Sequence, residues 1–168
     1  MNVPRSVLLS FAATALVALS APAVAVPAHP ASVARDLAQL RQATAGFHRL
    51  DHAFIAGWTQ DITGCLASPE GGMGYHFANF DALSDGVAEA LRPELLVYAP
   101  SASGGLKLVA VEYLVFADQL PEGAPIPMLF GQHFHFNPAV DAWVLHAWVW
   151  EHNPSGMFAD WNPRISCD

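Results

Sequence analysis

The sequence predicts an α+β domain in which one N-terminal amphipathic helix packs on a mostly antiparallel β-sheet. Apolar residues recur at steps of three and four residues in one long segment near the N-terminus. Most of the remaining chain consists of short apolar segments joined by connections rich in glycine, proline, serine and asparagine. Consecutive strands with such short connections usually pair as antiparallel neighbours. This pattern favours the helix-on-sheet architecture over the alternative, a β-sandwich.

Residues 1–25 are predicted to be a signal peptide. Arg5 gives the segment a positive start, an uncharged apolar run covers residues 6–20, and Ala23-Val24-Ala25 fits a cleavage site. The apolar run is shorter than the roughly 20 residues of a membrane-spanning helix, and an uncleaved anchor is the alternative. We therefore expect a periplasmic or secreted protein without a membrane span after cleavage. A flexible linker is expected at residues 26–31 and a single globular domain at residues 32–168.

The composition narrows the class of partner. The chain has a formal net charge of −8, and an acidic protein repels phosphate backbones and anionic lipid, so nucleic acid is not an expected partner. The sequence contains no G-x-S-x-G nucleophile elbow, and no P-loop lysine follows its glycine-rich segment. The expected partner is a metal ion or a small molecule. The sequence indicates no oligomeric state.

Cys65 and Cys167 are the two cysteines of the chain. In an exported protein an even number of cysteines favours a disulfide. This bond would join the chain end to the region after the first helix and would restrict the unfolded chain. A thiolate metal ligand or a reactive cysteine is the alternative.

The first predicted element is a helix over residues 31–57, which ends at Gly57. His48 and His52 lie four residues apart on it, a spacing that suits chelation, but neighbouring arginines favour a solvated face. The apolar side of the helix consists of Val33, Leu37, Leu40, Thr44, Phe47, Leu50 and Phe54.

The rest of the chain is predicted to contain one short helix and a series of strands. A glycine-rich loop at residues 64–74 leads into an extended segment at residues 73–77, and the short helix covers residues 81–91. The later strands are predicted at residues 94–98, 106–116, 128–136 and 143–150, with connections at residues 100–105, 119–127 and 137–142.

The last two predicted strands permit a test of geometry. If residues 137–142 form a hairpin loop, His135 pairs with Val144 and His133 pairs with His146. Side chains alternate between the faces of a strand, so His133, His135 and His146 would share one face with Trp148 and Trp150. Opposed residues lie within reach of a shared metal ion. A shift of one residue would break this arrangement.

Two further residues are polar groups in unusual positions. Glu112 lies within LVAVEYLVF, where both faces of the strand are apolar, so a buried carboxylate would need a histidine, an arginine or a cation as its partner. Arg92 and Arg164 are the candidate arginines. His76 follows the glycine-rich loop and is either a ligand or a packing residue.

The leading hypothesis is a transition-metal site. Imidazole ligands suit copper or zinc, and a facial triad for ferrous iron is ranked lower. The candidate ligands are His76, His133, His135, His146 and Glu112. The alternatives are a metal-free face of hydrogen-bonded histidines, an exported structural domain, or a small-ligand cleft. The candidate cleft residues are Trp143, Trp148 and Trp150.

Several motifs resemble a family of small exported bacterial proteins of unknown function. The motifs are Met-Gly-x-His at residues 73–76, Pro-Glu-x-Leu-x-Tyr at residues 93–98, the Glu112-Tyr113 pair, and a Leu-His-x-Trp-x-Trp block that leads to Asn-Pro and a late cysteine at residues 145–167. The resemblance covers most of the chain after residue 25. It implies that His76, Glu112 and His146 belong to the family pattern, and it implies no activity.

Overall fold

The structure is a computed structural model that describes residues 30–167; the predicted signal peptide and residues 26–29 of the predicted linker lie outside this range. It combines helices with a mostly antiparallel sheet, which confirms the predicted α+β class. The helices are α1 Pro30–Thr44, α2 Leu50–Ile55 and α3 Phe80–Asp85. The strands are β1 Trp58–Asp61, β2 Leu66–Ser68, β3 Gly71–Asn79, β4 Leu95–Pro100, β5 Leu106–Phe116, β6 Met128–Leu129, β7 Gln132–His133, β8 His135–Asn137 and β9 Ala142–Ala147.

The predicted long helix is broken into two helices. A 3₁₀ turn, Ala45–His48, follows α1, and Arg49 is extended. The turn contains Gly46, a poor helix former, and it places the Phe47 carbonyl where the Tyr98 hydroxyl donates to it at 2.6 Å. The helix also begins at Pro30, within the segment that the sequence assigns to a linker.

The main sheet has the order β1-β3-β4-β5-β9-β8, and β2 pairs with the N-terminal part of β3. Its helix-facing side buries a large core against Leu37 and Leu40 of α1. The sheet side chains of this core include Phe77, Leu96, Tyr98, Val111, Tyr113, Val115, Leu145 and Ala147. The opposite face carries a smaller cluster that includes Ala78, Leu95, Leu114 and Val144. Side chains that alternate along β3, β5 and β9 therefore face two different environments.

The segment predicted as one strand over residues 128–136 forms three short strands. Phe130 and Gly131 have φ values of 53° and 72°, so they make the tight turn of a β6–β7 hairpin that lies outside the main sheet. As a result His133 pairs with Met128, and not with His146 as expected. The predicted pairing of His135 with Val144 is confirmed.

Three other elements differ from the sequence-based expectation. The short helix predicted at residues 81–91 ends at Asp85, because Gly86 adopts a left-handed conformation with φ 68°. The predicted loop at residues 64–74 contains β2 and the start of β3. The strand predicted to reach Trp150 ends at Ala147, where the Val149 amide turns back to donate to the Ala147 carbonyl.

The predicted disulfide is confirmed. Cys65 and Cys167 are bonded across a sequence separation of 102 residues. The bond fixes the C-terminal segment beside β2, where Gly72 and Asn162 also exchange backbone hydrogen bonds.

Within residues 30–167, no helix is both long and apolar enough to cross a membrane.

Glu94, immediately before β4, is a fully buried carboxyl group. One oxygen accepts a hydrogen bond from the Leu114 amide at 3.1 Å, and the other has no hydrogen-bond partner. Burial raises the pKa of Glu94 from its usual 4.5 to about 8. The folded protein therefore keeps this proton over a range in which the unfolded chain releases it, and the Glu94 contribution to stability falls as the pH rises from about 4.5 to about 8.

Replacement of Glu94 by glutamine is expected to raise the free energy of unfolding at pH 8 by about 1–3 kcal/mol, with a much smaller effect at pH 4. The amide keeps the acceptor oxygen for Leu114 and has no proton to lose. Urea unfolding at both pH values, with a chelator present, measures the difference from wild type. Glu122→Gln changes an exposed carboxylate and is the control. An equal effect of Glu94→Gln at both pH values would contradict the assignment.

Candidate metal centre

Three strands of the main sheet place ionisable side chains on the sheet face opposite α1. His76 lies on β3, Glu112 on β5 and His146 on β9. Glu112 is directly opposite His146 in the β5–β9 pairing, and His76 comes from two strands away across β4. All three residues are buried, and one ligand atom from each lies within 4.8 Å of the others. This group could hold a metal ion.

Two distances from His76 to the other potential ligand atoms are close to the edge length of a zinc tetrahedron. His76 Nε2 is 3.4 Å from His146 Nε2 and 3.4 Å from Glu112 Oε2. Two atoms that each lie about 2.0–2.1 Å from a tetrahedral zinc are about 3.3–3.4 Å apart. Adjacent ligands of a square-planar or octahedral ion with similar bond lengths are about 2.8–3.0 Å apart. The two spacings around His76 therefore suit a tetrahedral ion.

The hydrogen bonds of Thr63 define the tautomer of His76. The single hydroxyl proton of Thr63 is donated to the Gly64 carbonyl at 2.7 Å. The same hydroxyl oxygen lies 3.0 Å from His76 Nδ1, so it must accept the proton carried by Nδ1. Nε2 is then left with a lone pair that faces Glu112 and His146. Burial, together with the charge of His146, lowers the pKa of His76 to about 3 and keeps this ring neutral.

His146, Glu112 and Asp160 form the charged side of the site. His146 Nδ1 lies 3.7 Å from Glu112 Oε1 and 3.6 Å from Asp160 Oδ1, and neither Nδ1 nor Asp160 Oδ1 has a hydrogen-bond partner. Burial raises the pKa of Glu112. Burial opposes the charge on His146, but the two carboxylates outweigh it and raise the pKa of His146. The buried cluster therefore stabilises a positive charge at its centre, which a proton or a metal cation can supply.

A small cavity of about 90 Å³ opens beside the three residues. Its volume is well below the 300–1,000 Å³ of most drug-sized ligand pockets. Most of the wall is apolar, and Thr63, Asn137 and Asp160 are the other polar residues that line it. The apolar wall consists of Ile62, Leu66, Met73, Leu95, Leu114, Val140 and Val144.

Two of the predicted ligands lie outside the buried group. His135 is exposed at the rim, with Nε2 3.1 Å from Asp160 Oδ2. His133 is exposed on the separate β6–β7 hairpin. Of the five candidate ligands, the structure brings together His76, Glu112 and His146.

The three candidate tryptophans do not line one cleft. Trp148 stacks on His146 with ring centroids 6.0 Å apart, whereas the Trp150 indole donates to Thr44 on the helix side. Both border a surface cleft of about 390 Å³ beside Arg41. Trp143 is elsewhere and packs against Phe136. The turn after Ala147 separates Trp148 from Trp150, which a continuous strand would have kept on one face.

Neither predicted arginine is the partner of Glu112. Arg92 pairs with Asp85 and Glu89, and Arg164 lies 4.0 Å from Glu151. These arginines are on surface turns, whereas Glu112 is buried on the sheet face opposite α1.

Sequence reasoning missed Asp160 and Thr63. Asp160 is in the turn-rich C-terminal segment, 14 positions after His146, where no periodic pattern marks it. Thr63 is held by a tight turn in which the Asp61 carboxylate accepts from the amides of Thr63 and Gly64. Asp61 also accepts from the His76 amide at 3.2 Å, so the same side chain aligns the turn with β3.

Comparison of the chain with protein-family models, curated proteins and solved structures found no match.

Proposed function

We propose that this is an exported zinc-binding protein whose ion is held by His76, Glu112 and His146. The observation that carries the proposal is the convergence of three buried ligand atoms, with two of their spacings close to the edge length of a zinc tetrahedron. Copper(II) and ferrous iron prefer tetragonal or octahedral ligand sets, so these spacings favour zinc.

The charge around the site also supports a bound cation. In the described part of the chain, the ion pairs of Glu112 are with His76 and His146, and no lysine or arginine pairs with it. The fixed tautomer of His76 leaves a lone pair at Nε2, as zinc requires. A buried carboxylate with two imidazoles is costly without a cation at its centre.

Asp160 is assigned the role of a positioning residue. Coordination through His146 Nε2 would leave the proton on Nδ1, which faces Asp160 Oδ1 at 3.6 Å. A small movement would complete a carboxylate–histidine–zinc arrangement and would give partners to two buried atoms that lack them.

The disulfide supports the proposal of export. Disulfides persist in oxidising compartments and are uncommon in reducing ones. Cys65 and Cys167 form a disulfide in the folded chain. Together with the predicted signal peptide, it favours a periplasmic or secreted location.

Elemental analysis tests the proposed function. The full-length chain is expressed without an affinity tag, and the exported product is purified without added metal or chelator. We expect about one equivalent of zinc per chain, since the group offers one site. One equivalent of copper or iron would overturn the choice of zinc. A metal-free protein that also takes up no zinc in a micromolar titration would overturn the proposal of a metal site.

Asp160→Asn is expected to weaken zinc binding by about 10–100-fold, the usual cost of removing a carboxylate that orients a metal-bound histidine. The amide keeps the size of the side chain but loses its charge. Competition with a zinc-sensitive chelating dye at constant pH measures the affinity. Asp118→Asn, on the turn after β5 and outside the cavity lining, is the matched control. Unchanged affinity in Asp160→Asn would show that Asp160 does not position His146.

A further inference from the structure

We infer that the zinc site hydrolyses uncharged acyl substrates, meaning esters or amides with a small acyl group and an apolar remainder. This inference rests on the proposed zinc-binding function and adds the reaction and the class of substrate. Four features of the site support it: the number of protein ligands, the shape of the cavity, the cleft that adjoins it, and the charges around both.

The number of ligands favours catalysis over a purely structural role. Structural zinc sites have four protein ligands, whereas catalytic sites have three and keep a position for water. Among residues 30–167, the group of mutually close ligand atoms contains three residues, and Asp160 is not a member of it. The burial of all three ligands also argues against a role in passing the ion to another protein, because such transfer requires accessible ligands.

The cavity lined by the three residues offers room for a water molecule. A volume of about 90 Å³ is enough for a few water molecules, each of which occupies roughly 30 Å³ in the liquid. It is also enough for a short acyl group. The apolar wall lowers the local dielectric, and this strengthens the attraction between the ion and a hydroxide or a developing oxyanion.

A second space adjoins the cavity. A surface cleft of about 290 Å³ shares Met73, Asn137 and Asp160 with the cavity wall. Its other lining residues include Phe136 and Trp161. A substrate whose acyl group enters the cavity would therefore lay an apolar or aromatic leaving group along the cleft.

The side chains that line the cavity and the cleft disfavour substrates with anionic groups. No lysine or arginine lines the cavity or the cleft, and the chain as a whole has a formal charge of −8. The basic side chain on the cleft, His135, is already paired with Asp160. Apart from the ion itself, no unpaired basic group on this path would compensate a carboxylate or phosphate of the substrate for its lost hydration.

The reaction balances with water as the only co-substrate. Coordination to zinc lowers the pKa of water to about 7, so that the bound water loses a proton to the solvent and hydroxide is present near neutral pH. The hydroxide attacks the carbonyl carbon and forms a C–O bond, and the bond from this carbon to the leaving oxygen or nitrogen breaks. The leaving group takes a proton from solvent. The products are a carboxylic acid and an alcohol or amine.

A pair of esters with acyl chains of equal length tests the inference. The zinc-loaded, exported protein is assayed with 4-nitrophenyl butyrate, which is neutral, and with mono-4-nitrophenyl succinate, which has the same chain with a terminal carboxylate. We expect kcat/KM to be at least about tenfold higher for the neutral ester, because no lysine or arginine of the cavity or the cleft would pair with the terminal carboxylate.

A variant at the cavity mouth tests the role of charge. Val140 lines the cavity and is 46 % exposed, so Val140→Arg would place a cation on the path of the acyl chain and is expected to reduce the preference for the neutral ester by about tenfold. Val87→Arg is the matched control, because Val87 is 55 % exposed and lines neither the cavity nor the cleft.

The outcomes separate the two proposals. A protein that binds one zinc but hydrolyses neither ester faster than its His76→Gln variant would overturn the hydrolytic inference and leave zinc binding in place. Equal kcat/KM values for the two esters, or equal effects of Val140→Arg and Val87→Arg, would overturn the substrate class. A protein without a zinc site would overturn both proposals.

Discussion

Zinc binding is expected to fall by more than about 100-fold in Glu112→Gln and in His76→Gln, because even residues that only orient a metal ligand contribute about 10–100-fold to affinity. Glu112→Gln keeps the shape of the buried side chain and removes its charge. His76→Gln removes the imidazole whose Nε2 lone pair faces the other two ligands. Competition with a zinc-sensitive dye measures both affinities, and circular dichroism of the metal-free variants checks that they fold.

His133→Ala is the matched control for these two variants. His133 was a candidate ligand in the sequence, but it is exposed on the β6–β7 hairpin, and its removal is expected to leave zinc affinity unchanged. Full zinc affinity in a folded Glu112→Gln variant would contradict the proposed ligand set. Loss of zinc in His133→Ala would place the site elsewhere.

A further effect of the bound ion should appear in the stability of the protein. An ion that binds only the folded state raises the free energy of unfolding by about 2.7 kcal/mol when its free concentration is 100 times the dissociation constant. Zinc is therefore expected to raise the melting temperature of the wild-type protein and not that of Glu112→Gln.

Removal of the disulfide is expected to lower the free energy of unfolding by about 4–5 kcal/mol, the loop-entropy value for a separation of 102 residues. The double variant Cys65→Ala/Cys167→Ala avoids a single unpaired thiol. Urea unfolding of the chelated proteins measures the change, and wild type treated with a reductant is the comparison. A loss below about 1 kcal/mol would show that the C-terminal segment is held mainly by other contacts.

The same variant is expected to weaken zinc binding as well. Cys65 lies between Thr63, which orients His76, and Leu66, which lines the cavity. Its partner Cys167 fixes the segment that carries Asp160. The double variant should therefore bind zinc more weakly even where it remains folded. An unchanged zinc affinity would show that Thr63 and Asp160 keep their positions without the disulfide.

Local patterns were sufficient to predict much of the sheet. The period of two along β5 puts Glu112 on one face and Val111 and Tyr113 on the other, and Val111 and Tyr113 pack in the helix-facing core. A hairpin loop at residues 137–142 predicted that His135 lies opposite Val144, and the β8–β9 pairing confirms this. Such predictions succeed because a strand has a fixed period of two, so one correct pairing determines the faces of its neighbours.

Local patterns failed where single backbone conformations decided the path of the chain. The left-handed conformation of Phe130 removed His133 from the main sheet, and a bulky residue rarely adopts it. The register shift between Val97 and Tyr98 placed Val109 on the same side as Ala110. The sequence contains no periodic signal for either feature.

The sequence by itself determined the class of fold, the disulfide, and the need of Glu112 for a polar or charged partner within an apolar strand. These follow from periodicity, from the number of cysteines, and from the cost of an apolar strand that contains a charge. Only the tertiary structure decided which histidines share the site. His76 and His146 are 70 residues apart, and Asp160 arrives from a turn that is fixed by the disulfide-bonded tail. These three residues lie close together because of the strand order and because the C-terminal segment packs against the sheet. Both are set by long-range packing and not by local pattern.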